Sequence, residues 1–391
     1  MSTPIPASFM TTREHQARAL SRRLFLGGAV GCVAAAATTA HAADDILVGP
    51  AATPTSEQTT RLIVAGSAET PCGTWATRLA PDMASELGQP PFDLSFTTGW
   101  DGVTGANLFD AQEQLSSASS TLLVPGTALM AAMTGDSRVH YAYQRWSPVL
   151  TICQPSVVVG HVSLHRSLGV ILSSKTTRIA VSTPTGPELP TLLAFDLLAL
   201  RPLPVSGYAT PDAAMAALTS GLVDAIQLPV DAALKDRLAT LGAKGFTPLF
   251  LNTVAPQTPA QAELALPPTF PTVLLQERRT STPAFLPLAW QAIASAASLK
   301  AALVLPLLTP PAKVARWRHA ADTCASKLAL QQIAMANGQT ILSGSKCIAY
   351  YGMATPEVNV GMALRRWLAL NLPRWRSALP AGAALPPTTA Q

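Results

Sequence analysis

Between residues 61 and 127, the spacing of hydrophobic residues changes several times between the pattern of a strand and that of a helix. The apolar run at 61–65, the alternating segment at 92–96 and the apolar run at 121–124 each predict a strand. One apolar series between the first two strands has helical spacing: Trp75, Leu79, Met83 and Leu87. Strand, loop and helix in repeated order predict a parallel sheet with crossover helices.

Each of these strands is followed by a loop of small or polar residues. The loops occupy 66–73, 99–105 and 125–127, and all three contain glycine. In parallel sheets of this kind, loops at the carboxyl ends of the strands meet at one edge and form the ligand site. Small residues at helix N-termini also leave backbone N–H donors and a positive dipole end for an anion. We therefore expect a binding site at this edge.

A similar pattern returns in the second half of the chain. Strands are predicted at 148–153 and 178–181, and the loop 182–186 enters a leucine-rich helix. The segment 289–308 is long enough to resemble a membrane span, but Lys300 and Pro306 interrupt it. We interpret it as a core helix followed by a core strand.

Composition excludes some classes of function. The chain has 391 residues with 13% charged side chains and a formal net charge of +5, part of which comes from arginines near the N-terminus. This field is too weak to indicate a nucleic-acid partner. The length suffices for two ordinary domains with substantial cores.

The first 42 residues have the features of an export signal. Ser-Arg-Arg-Leu-Phe-Leu-Gly at 21–27 matches a twin-arginine motif, the apolar run 24–37 follows, and Ala-His-Ala at 40–42 suits cleavage. A short amphipathic helix is the alternative interpretation. Lipoprotein processing at Cys32 is a further one, although Ala29 is a poor residue three positions before such a cysteine. We expect a soluble periplasmic protein that begins near Ala43.

Two flanking segments are expected to carry little structure. The segment 43–57 is rich in proline and threonine and is predicted to be a mobile lead-in. The segment 373–391 is rich in proline and alanine and is predicted to be a disordered tail.

Cysteine usage leaves two possibilities open. Four cysteines would remain after cleavage: Cys72, Cys153, Cys324 and Cys347. An oxidising compartment permits disulfides, and closeness in sequence favours a Cys324–Cys347 pair. Because twin-arginine substrates cross the membrane folded, the thiols could equally stay reduced and buried. The cysteine and histidine spacing does not suggest a metal site, and we expect neither a metal nor a cofactor.

Six short segments occur in an order that resembles a known family. They are Leu-Gly-Gln-Pro at 87–90, the glycine pattern at 99–106, Trp-Ser-Pro-Val at 146–149, Tyr208 with Gly-Leu-Val-Asp at 221–224, Leu-Pro-Pro-Thr-Phe-Pro-Thr at 266–272, and Leu-Pro-Leu-Leu-Thr-Pro-Pro at 305–311. Together they resemble the tripartite tricarboxylate transporter receptors, the TctC or Bug-type periplasmic solute-binding proteins.

The chain departs from that family in the loops that hold ligand. The family's first loop usually reads Gly-Gly-x-x-Asp, whereas a gapless match places Glu69 and Thr70 on the glycines and Gly73 on the aspartate. In the second loop, Leu189 falls about where the family has a histidine. The resemblance therefore implies a divergent member whose anion-binding loops have changed.

The resemblance implies an α/β, two-lobed periplasmic-binding-protein fold of type II, a Venus flytrap in which each lobe is a mostly parallel sheet flanked by helices. One lobe would comprise 58–156 plus 300–372, and the other 157–299. The implied ligand contacts are Ser67, Glu69, Thr70, Trp100, Thr127, Thr183, Thr185, Gly186 and Tyr208. The serines and threonines could equally be helix caps, and Trp100 could cover the pocket instead of stacking on ligand.

The implied function is that of a monomeric receptor. It would capture an organic acid, an amino acid or another small polar metabolite and deliver it to the subunits of a tripartite-type membrane transporter. The alternative is a periplasmic accessory or sensor protein that uses the same fold to bind another protein. Catalysis is disfavoured because the sequence has no GxSxG, phosphate loop or metal cluster.

Glu69 also bears on the kind of ligand expected. A carboxylate beside a bound carboxylate disfavours binding, so a cationic, zwitterionic or neutral polar ligand would suit Glu69 better than a di- or tricarboxylate. In the alternative arrangement Glu69 points to solvent and has no influence on the ligand.

Overall fold

The computed structural model describes residues 60–115, 120–164, 176–254, 266–277 and 284–378. The predicted export signal, lead-in and most of the predicted tail lie outside these ranges. All described residues fall within one compact unit, Pro54–Gln391.

The described chain alternates strands and helices. The strands are β1 Arg61–Val64, β2 Asp93–Phe96, β3 Ser120–Val124, β4 Ser147–Cys153, β5 Ser156–His161, β6 Thr176–Val181, β7 Arg201–Ser206, β8 Ala225–Pro229, β9 Phe246–Asn252, β10 Leu299–Leu305 and β11 Thr340–Ser343. The helices are α1 Pro71–Leu87, α2 Val103–Leu115, α3 Gly126–Thr134, α4 Leu189–Leu197, α5 Pro211–Thr219, α6 Leu234–Gly242, α7 Phe270–Glu277, α8 Phe285–Ser298, α9 Pro311–Ser326, α10 Leu328–Ala336, α11 Gly344–Met353 and α12 Val358–Ala378. Among these helices, none combines the length and the apolar character needed to cross a membrane.

The first sheet has six strands in the order β11-β4-β10-β3-β1-β2. Strands β2, β1 and β3 are parallel, as the sequence pattern predicts. Strand β10 runs antiparallel to both β3 and β4, and β11 is antiparallel to β4. The carboxyl ends of the three parallel strands therefore lie at one edge of this sheet, with their loops.

The second sheet has five strands in the order β7-β6-β8-β5-β9. Here β7, β6 and β8 are parallel, whereas β5 is antiparallel to β8 and to β9. Each sheet is thus mixed, but most of its strands run in one direction, as expected: β10 and β11 are reversed in the first sheet, and β5 is reversed in the second. The reversed strands include the two that enter a sheet from the other one, β5 in the second sheet and β10 in the first.

Two segments connect the sheets. Gln154 and Pro155 join β4 of the first sheet to β5 of the second, and helix α8 leads back into β10 of the first. One continuous cluster of buried apolar residues extends from Ile63 and Val124 in the first sheet to Val158 and Ile179 in the second. The two-lobed α/β fold therefore has a shared core where the lobes meet.

Helix α8 is the main component of this shared core. It packs against α3 beside the first sheet, against α4 beside the second, and against α12. Trp290 of α8 is buried and its ring lies 4.6 Å from that of Phe270. The apolar character of 289–298, which first suggested a membrane span, is explained by helices that surround α8 on several sides.

The last helix is longer than the sequence suggested. Helix α12 continues through Pro373 to Ala378, so the prediction of a disordered tail from 373 is wrong for its first six residues. Trp375 is buried, and its indole N–H donates to the carbonyl of Pro202 in β7 at 2.9 Å. This tertiary contact stabilises the turn that follows the proline.

The four cysteines in the described ranges are free and buried, so the Cys324–Cys347 disulfide suggested by sequence proximity is not present in this structure. Cys324 packs in the core cluster that contains Trp317, whereas Cys347 belongs to α11, which packs on β4. Burial raises the pKa of the Cys324 thiol to about 11 and that of Cys347 to about 12. The alternative of reduced, buried thiols describes this arrangement.

Candidate ligand-binding site

The loops after β1, β2 and β3 meet at one edge of the first sheet. A Cβ added to Gly102 would lie 2.6 Å from Pro125, and one added to Gly105 would lie 2.6 Å from Ala65. Only glycine permits these approaches, and Gly102 also has a φ of 77°. The structure therefore brings together the three loops that carry Ser67, Trp100 and Thr127.

Two threonines in these loops make structural hydrogen bonds. Thr70 is buried at the N-cap of α1, where its hydroxyl accepts from the Gly73 N–H at 3.1 Å and donates to the Ser67 carbonyl at 2.7 Å. The hydroxyl of Thr127 donates to the carbonyl of Asp101 at 3.1 Å. The capping interpretation thus describes Thr70, while Thr127 joins the third loop to the second.

Two further predicted contacts of this edge, Trp100 and Glu69, are exposed. Trp100 is 82% exposed, so in this conformation its ring neither packs inside a cavity nor covers one. Glu69 is also exposed, and a hydrogen bond from Ser67 lowers the pKa of its carboxyl. The solvent-facing alternative for Glu69 describes its position.

A second group of predicted contacts lies at the corresponding edge of the second sheet. Thr183, Thr185 and Gly186 follow β6, and Tyr208 follows β7, where its N–H donates to the carbonyl of Val181 at 3.1 Å. Thr183 and Thr185 are exposed, whereas Tyr208 is partly buried. Of all the predicted ligand contacts, only Tyr208 lines the cavity described next.

This cavity has a volume of about 240 Å3 and lies where the parallel strands of the second sheet end and the connecting segments pass. Its polar lining side chains come from distant parts of the chain: Gln154, Ser156, Glu188, Tyr208, Thr210, Gln227 and Lys300. Alanines and prolines complete the wall. Glu188 and Lys300 are the charged members, and sequence reasoning assigned neither of them to a site.

The carboxylate of Glu188 lies against the loop after β6, where that loop offers hydrogen-bond donors to an anion. Its Oε2 accepts from both the N–H of Ser182, at 3.1 Å, and the Ser182 hydroxyl, at 2.7 Å. Burial raises the pKa of this carboxyl, and the Ser182 hydrogen bonds and the charge of Lys300 oppose that rise. The loop therefore binds a carboxylate of its own chain, and the Ser182 donors are already used.

Lys300 reaches the cavity because of an irregularity in β10. The register of β10 against β4 shifts between Leu299 and Ala301, so Lys300 is the extra residue of a β-bulge. A bulge re-aims a side chain that regular pairing would direct elsewhere. Burial lowers the pKa of the Lys300 ammonium, and the charges of Glu188 and Asp231 oppose that effect.

A buried polar cluster fixes the floor of the cavity. The Gln227 Oε1 accepts from the Thr191 hydroxyl at 2.6 Å and from the Asn252 amide at 2.9 Å. The Gln227 amide in turn donates to the carbonyl of Pro187 at 3.2 Å, next to Glu188. Because Gln227 is held on three sides, its position is set before any ligand arrives.

Gln154 ties the connecting segment to the loop before β11 and to the end of α8. Its side-chain amide donates to the Asn337 carbonyl at 2.8 Å, and its backbone N–H donates to the carbonyl of Ser298, at the end of α8, at 2.8 Å. Next to Asn337, Gly338 has a φ of 63°, and a Cβ there would lie 1.9 Å from the carbonyl of Val230. The loop before β11 thus rests directly on the end of β8.

A second cavity, of about 340 Å3, lies at the other edge of the second sheet and is lined by His161, Thr177 and Asp224, among others. Asp224 pairs with Arg178, with a contact of 2.9 Å. The pair has a structural role at the strand ends. Within the described ranges, no three His, Cys, Asp or Glu side chains are grouped so that they could hold a metal ion.

The cavity at Glu188 and Lys300 combines features of a small-molecule site. It is concave, partly apolar, and presents one cation, one anion and several neutral donors and acceptors. Its position at the carboxyl ends of parallel strands is the usual place for ligands in open α/β sheets. Glu188 and Lys300 can therefore recognise polar groups of a small molecule.

Comparison with known proteins gives its strongest result at the level of structure. No family model matches the sequence, and no curated protein matches it either. Among solved structures, a TctC solute-binding protein from Polaromonas shares 14% identity and a TM-score of 0.56, covering 81% of this chain and 100% of its own.

Two further structures have lower scores. MatC from Rhodopseudomonas palustris with bound malate shares 17% identity and a TM-score of 0.45, over 82% of this chain and 98% of its own. The periplasmic binding protein BugD shares 14% identity and a TM-score of 0.45, over 81% of this chain and 97% of its own. From the Polaromonas match, we conclude that this chain has the fold of a TctC solute-binding protein.

Proposed function

We propose that the protein is a divergent TctC-type periplasmic receptor that binds a small polar metabolite in the cavity lined by Glu188 and Lys300. The observation that carries the proposal is this cavity of about 240 Å3, with two opposite charges, where the parallel strands of the second sheet end. The TctC fold supports the proposal because its two lobes and connecting segments suit capture of a ligand between them.

The size of the cavity supports a small ligand. Sites for drug-sized molecules commonly span roughly 300–1,000 Å3, so about 240 Å3 suits a compact metabolite. The amide of Gln227, the hydroxyl of Tyr208 and the charged groups supply directional contacts. In the proposed function the monomeric protein is exported through its twin-arginine signal, binds without catalysis, and passes the metabolite to a membrane transporter.

Ligand-dependent stabilisation tests this function. The purified protein is screened by thermal shift against organic acids, amino acids, sugars and polyamines, because a ligand bound only by the native state raises the melting temperature. We expect at least one compound to raise the melting temperature in a concentration-dependent way. A complete screen without any stabilising compound would contradict a receptor for small polar metabolites.

A blocking variant links that stabilisation to the cavity. Ala209 is exposed and lines the cavity, so Ala209→Trp fills the opening without entering the core. Ala243 is exposed at the end of α6 and is not among the lining residues, so Ala243→Trp is the matched control. We expect A209W to abolish the stabilisation and A243W to retain it. Equal stabilisation of both variants would place the ligand elsewhere.

A further inference from the structure

Lys300 brings a positive charge into the cavity. Its ammonium makes no ion pair or hydrogen bond with any residue in the described ranges, although it is partly buried. Asp231 is near enough to influence the pKa of Lys300, but its carboxylate is paired with Arg237 at 2.8 Å. A partly buried ammonium without an acceptor is costly, and a bound anion would remove that cost.

Glu188 brings the opposite charge to the same cavity. Both hydrogen bonds from Ser182 go to Oε2, and no other described residue donates to Oε1. Glu188 and Lys300 influence each other's pKa, yet their charged atoms are not within the 4.0 Å of an ion pair. The two charges therefore face one small space separately, each with unused hydrogen-bonding capacity.

This separation selects for a particular distribution of ligand charge. A simple carboxylate would be attracted by Lys300 and repelled by Glu188, and a simple amine would meet the reverse. A neutral molecule would leave both charges partly desolvated and unpaired. A ligand that carries an ammonium and a carboxylate a few bonds apart satisfies both residues at once.

We propose that the cavity binds a zwitterion of the α-amino-acid class, with the ligand carboxylate on Lys300 and the ligand ammonium on Glu188. This inference rests on the proposed receptor function and names its substrate class. Gln227 and Tyr208 supply neutral hydrogen-bonding groups, while Ala180, Ala214 and Pro211 offer an apolar wall for a compact side chain. The zwitterion preference first associated with Glu69 thus belongs to Glu188, since Glu69 is exposed.

The inference is tested on the unmodified protein by calorimetry with neutral L-amino acids, alanine, serine, valine and glutamine. The best binder is compared with its N-acetyl derivative, which keeps only the carboxylate, and with its amide, which keeps only the ammonium. Because a charge-assisted hydrogen bond contributes about 1.5–3 kcal/mol, each analogue should bind roughly 10–100-fold more weakly.

Two variants test which residue binds which charged group of the ligand. Glu188→Gln should weaken binding of the amino acid, and this variant should no longer bind the N-acetyl derivative more weakly than the amino acid. Lys300→Met should no longer bind the amide more weakly than the amino acid. The exposed residues Glu357 and Lys346 provide the matched controls Glu357→Gln and Lys346→Met, which should bind as the unmodified protein does. If either cavity variant fails to fold, the analogue series on the unmodified protein still decides the question.

The outcomes separate this inference from the proposed function. If the N-acetyl derivative, or a plain dicarboxylate such as malate, binds as tightly as the best amino acid, the zwitterion inference is wrong and the receptor function stands. If only non-zwitterionic compounds stabilise the protein in the thermal screen, the inference is likewise wrong. If no compound of any class binds, the receptor function fails together with it.

Discussion

Lys300 lies where burial disfavours the charged form of its side chain. Its pKa is lowered in the folded protein by desolvation, with Glu188 and Asp231 as the opposing charges that face it. In the unfolded chain a lysine has a pKa of about 10.4. Between the two values the native state binds fewer protons than the unfolded state, so the free energy of unfolding rises with pH across that window.

The pH dependence of stability should reveal this group. Lys300→Met removes it, so the stability of the unmodified protein relative to K300M should rise from neutral pH towards about pH 10. Urea unfolding midpoints at several pH values provide the measurement. The exposed Lys346→Met variant should follow the unmodified protein throughout. A constant difference between the unmodified protein and K300M would contradict the assignment.

Thr70 shows at the same scale how a residue expected to contact ligand is used in the structure. Its hydroxyl caps α1 and also bonds Ser67, and a Cβ on Gly66 would lie 2.6 Å from it. Removal of an N-cap hydroxyl usually costs about 1 kcal/mol. Thr70→Ala should therefore lower the free energy of unfolding by about that amount in urea titrations, whereas Thr70→Ser keeps the cap and should lose less. Unchanged stability in T70A would show that the cap contributes nothing.

At the scale of elements, the start of α3 and the end of α8 are in direct backbone contact. A Cβ added to Gly126 would lie 1.8 Å from the carbonyl oxygen of Ala296 and 2.7 Å from the Cβ of Leu299. Because the nearest atom belongs to backbone, the helices must separate to accept a side chain. That contact joins the first sheet's helices to the segment that leads into Lys300.

Substitution of Gly126 should therefore be strongly destabilising. We expect Gly126→Ala to lower the free energy of unfolding by about 1–3 kcal/mol, as overpacking in a core usually does. Gly361 is the matched control, since it lies in α12 with open space around its Cα. Gly361→Ala should be neutral or stabilise by up to about 1 kcal/mol through helix propensity. Denaturant unfolding of both variants tests the contrast, and similar effects at the two sites would contradict the close contact.

At the scale of the whole molecule, the two sheets share one apolar cluster through α8, α4 and α12. Trp367 of α12 donates to a carboxylate oxygen of Asp196 in α4 at 2.7 Å, which adds a polar link to the apolar one. The part of the molecule between the sheets is thus well packed, and it places Lys300, from the first sheet, in the cavity of the second.

Export is a property of the whole chain, and its determinant is the predicted twin-arginine signal. Changing Arg22 and Arg23 to lysine should leave the protein in the cytoplasm, because that pathway reads the arginine pair. Cell fractionation and immunoblotting measure the location. A pair of substitutions outside the motif, Arg13→Lys and Arg18→Lys, is the control and should permit export. Normal export in a strain without the twin-arginine translocase would contradict the proposal.

The sequence by itself determined the elements whose signals are local. The apolar runs and glycine-bearing loops between 61 and 127 predict β1, α1, β2 and β3 in order, and the structure confirms them. Hydrophobic period and helix-stop residues act over a few neighbours, which is why they can be read directly. The fold class follows from these elements, but the reversed direction of β5 and β10 does not, because it depends on long-range pairing.

Only the tertiary structure decided which residues form the candidate site. In the sequence, Lys300 is the one charged residue of the apolar segment 289–308, an isolated signal that marks it without giving a partner. Glu188 opens a helix, where acidic residues are common for reasons of capping alone. Their meeting depends on a strand register that creates a bulge and on a loop that folds back on Ser182. Such placement arises from pairing between distant segments, and no local pattern encodes it.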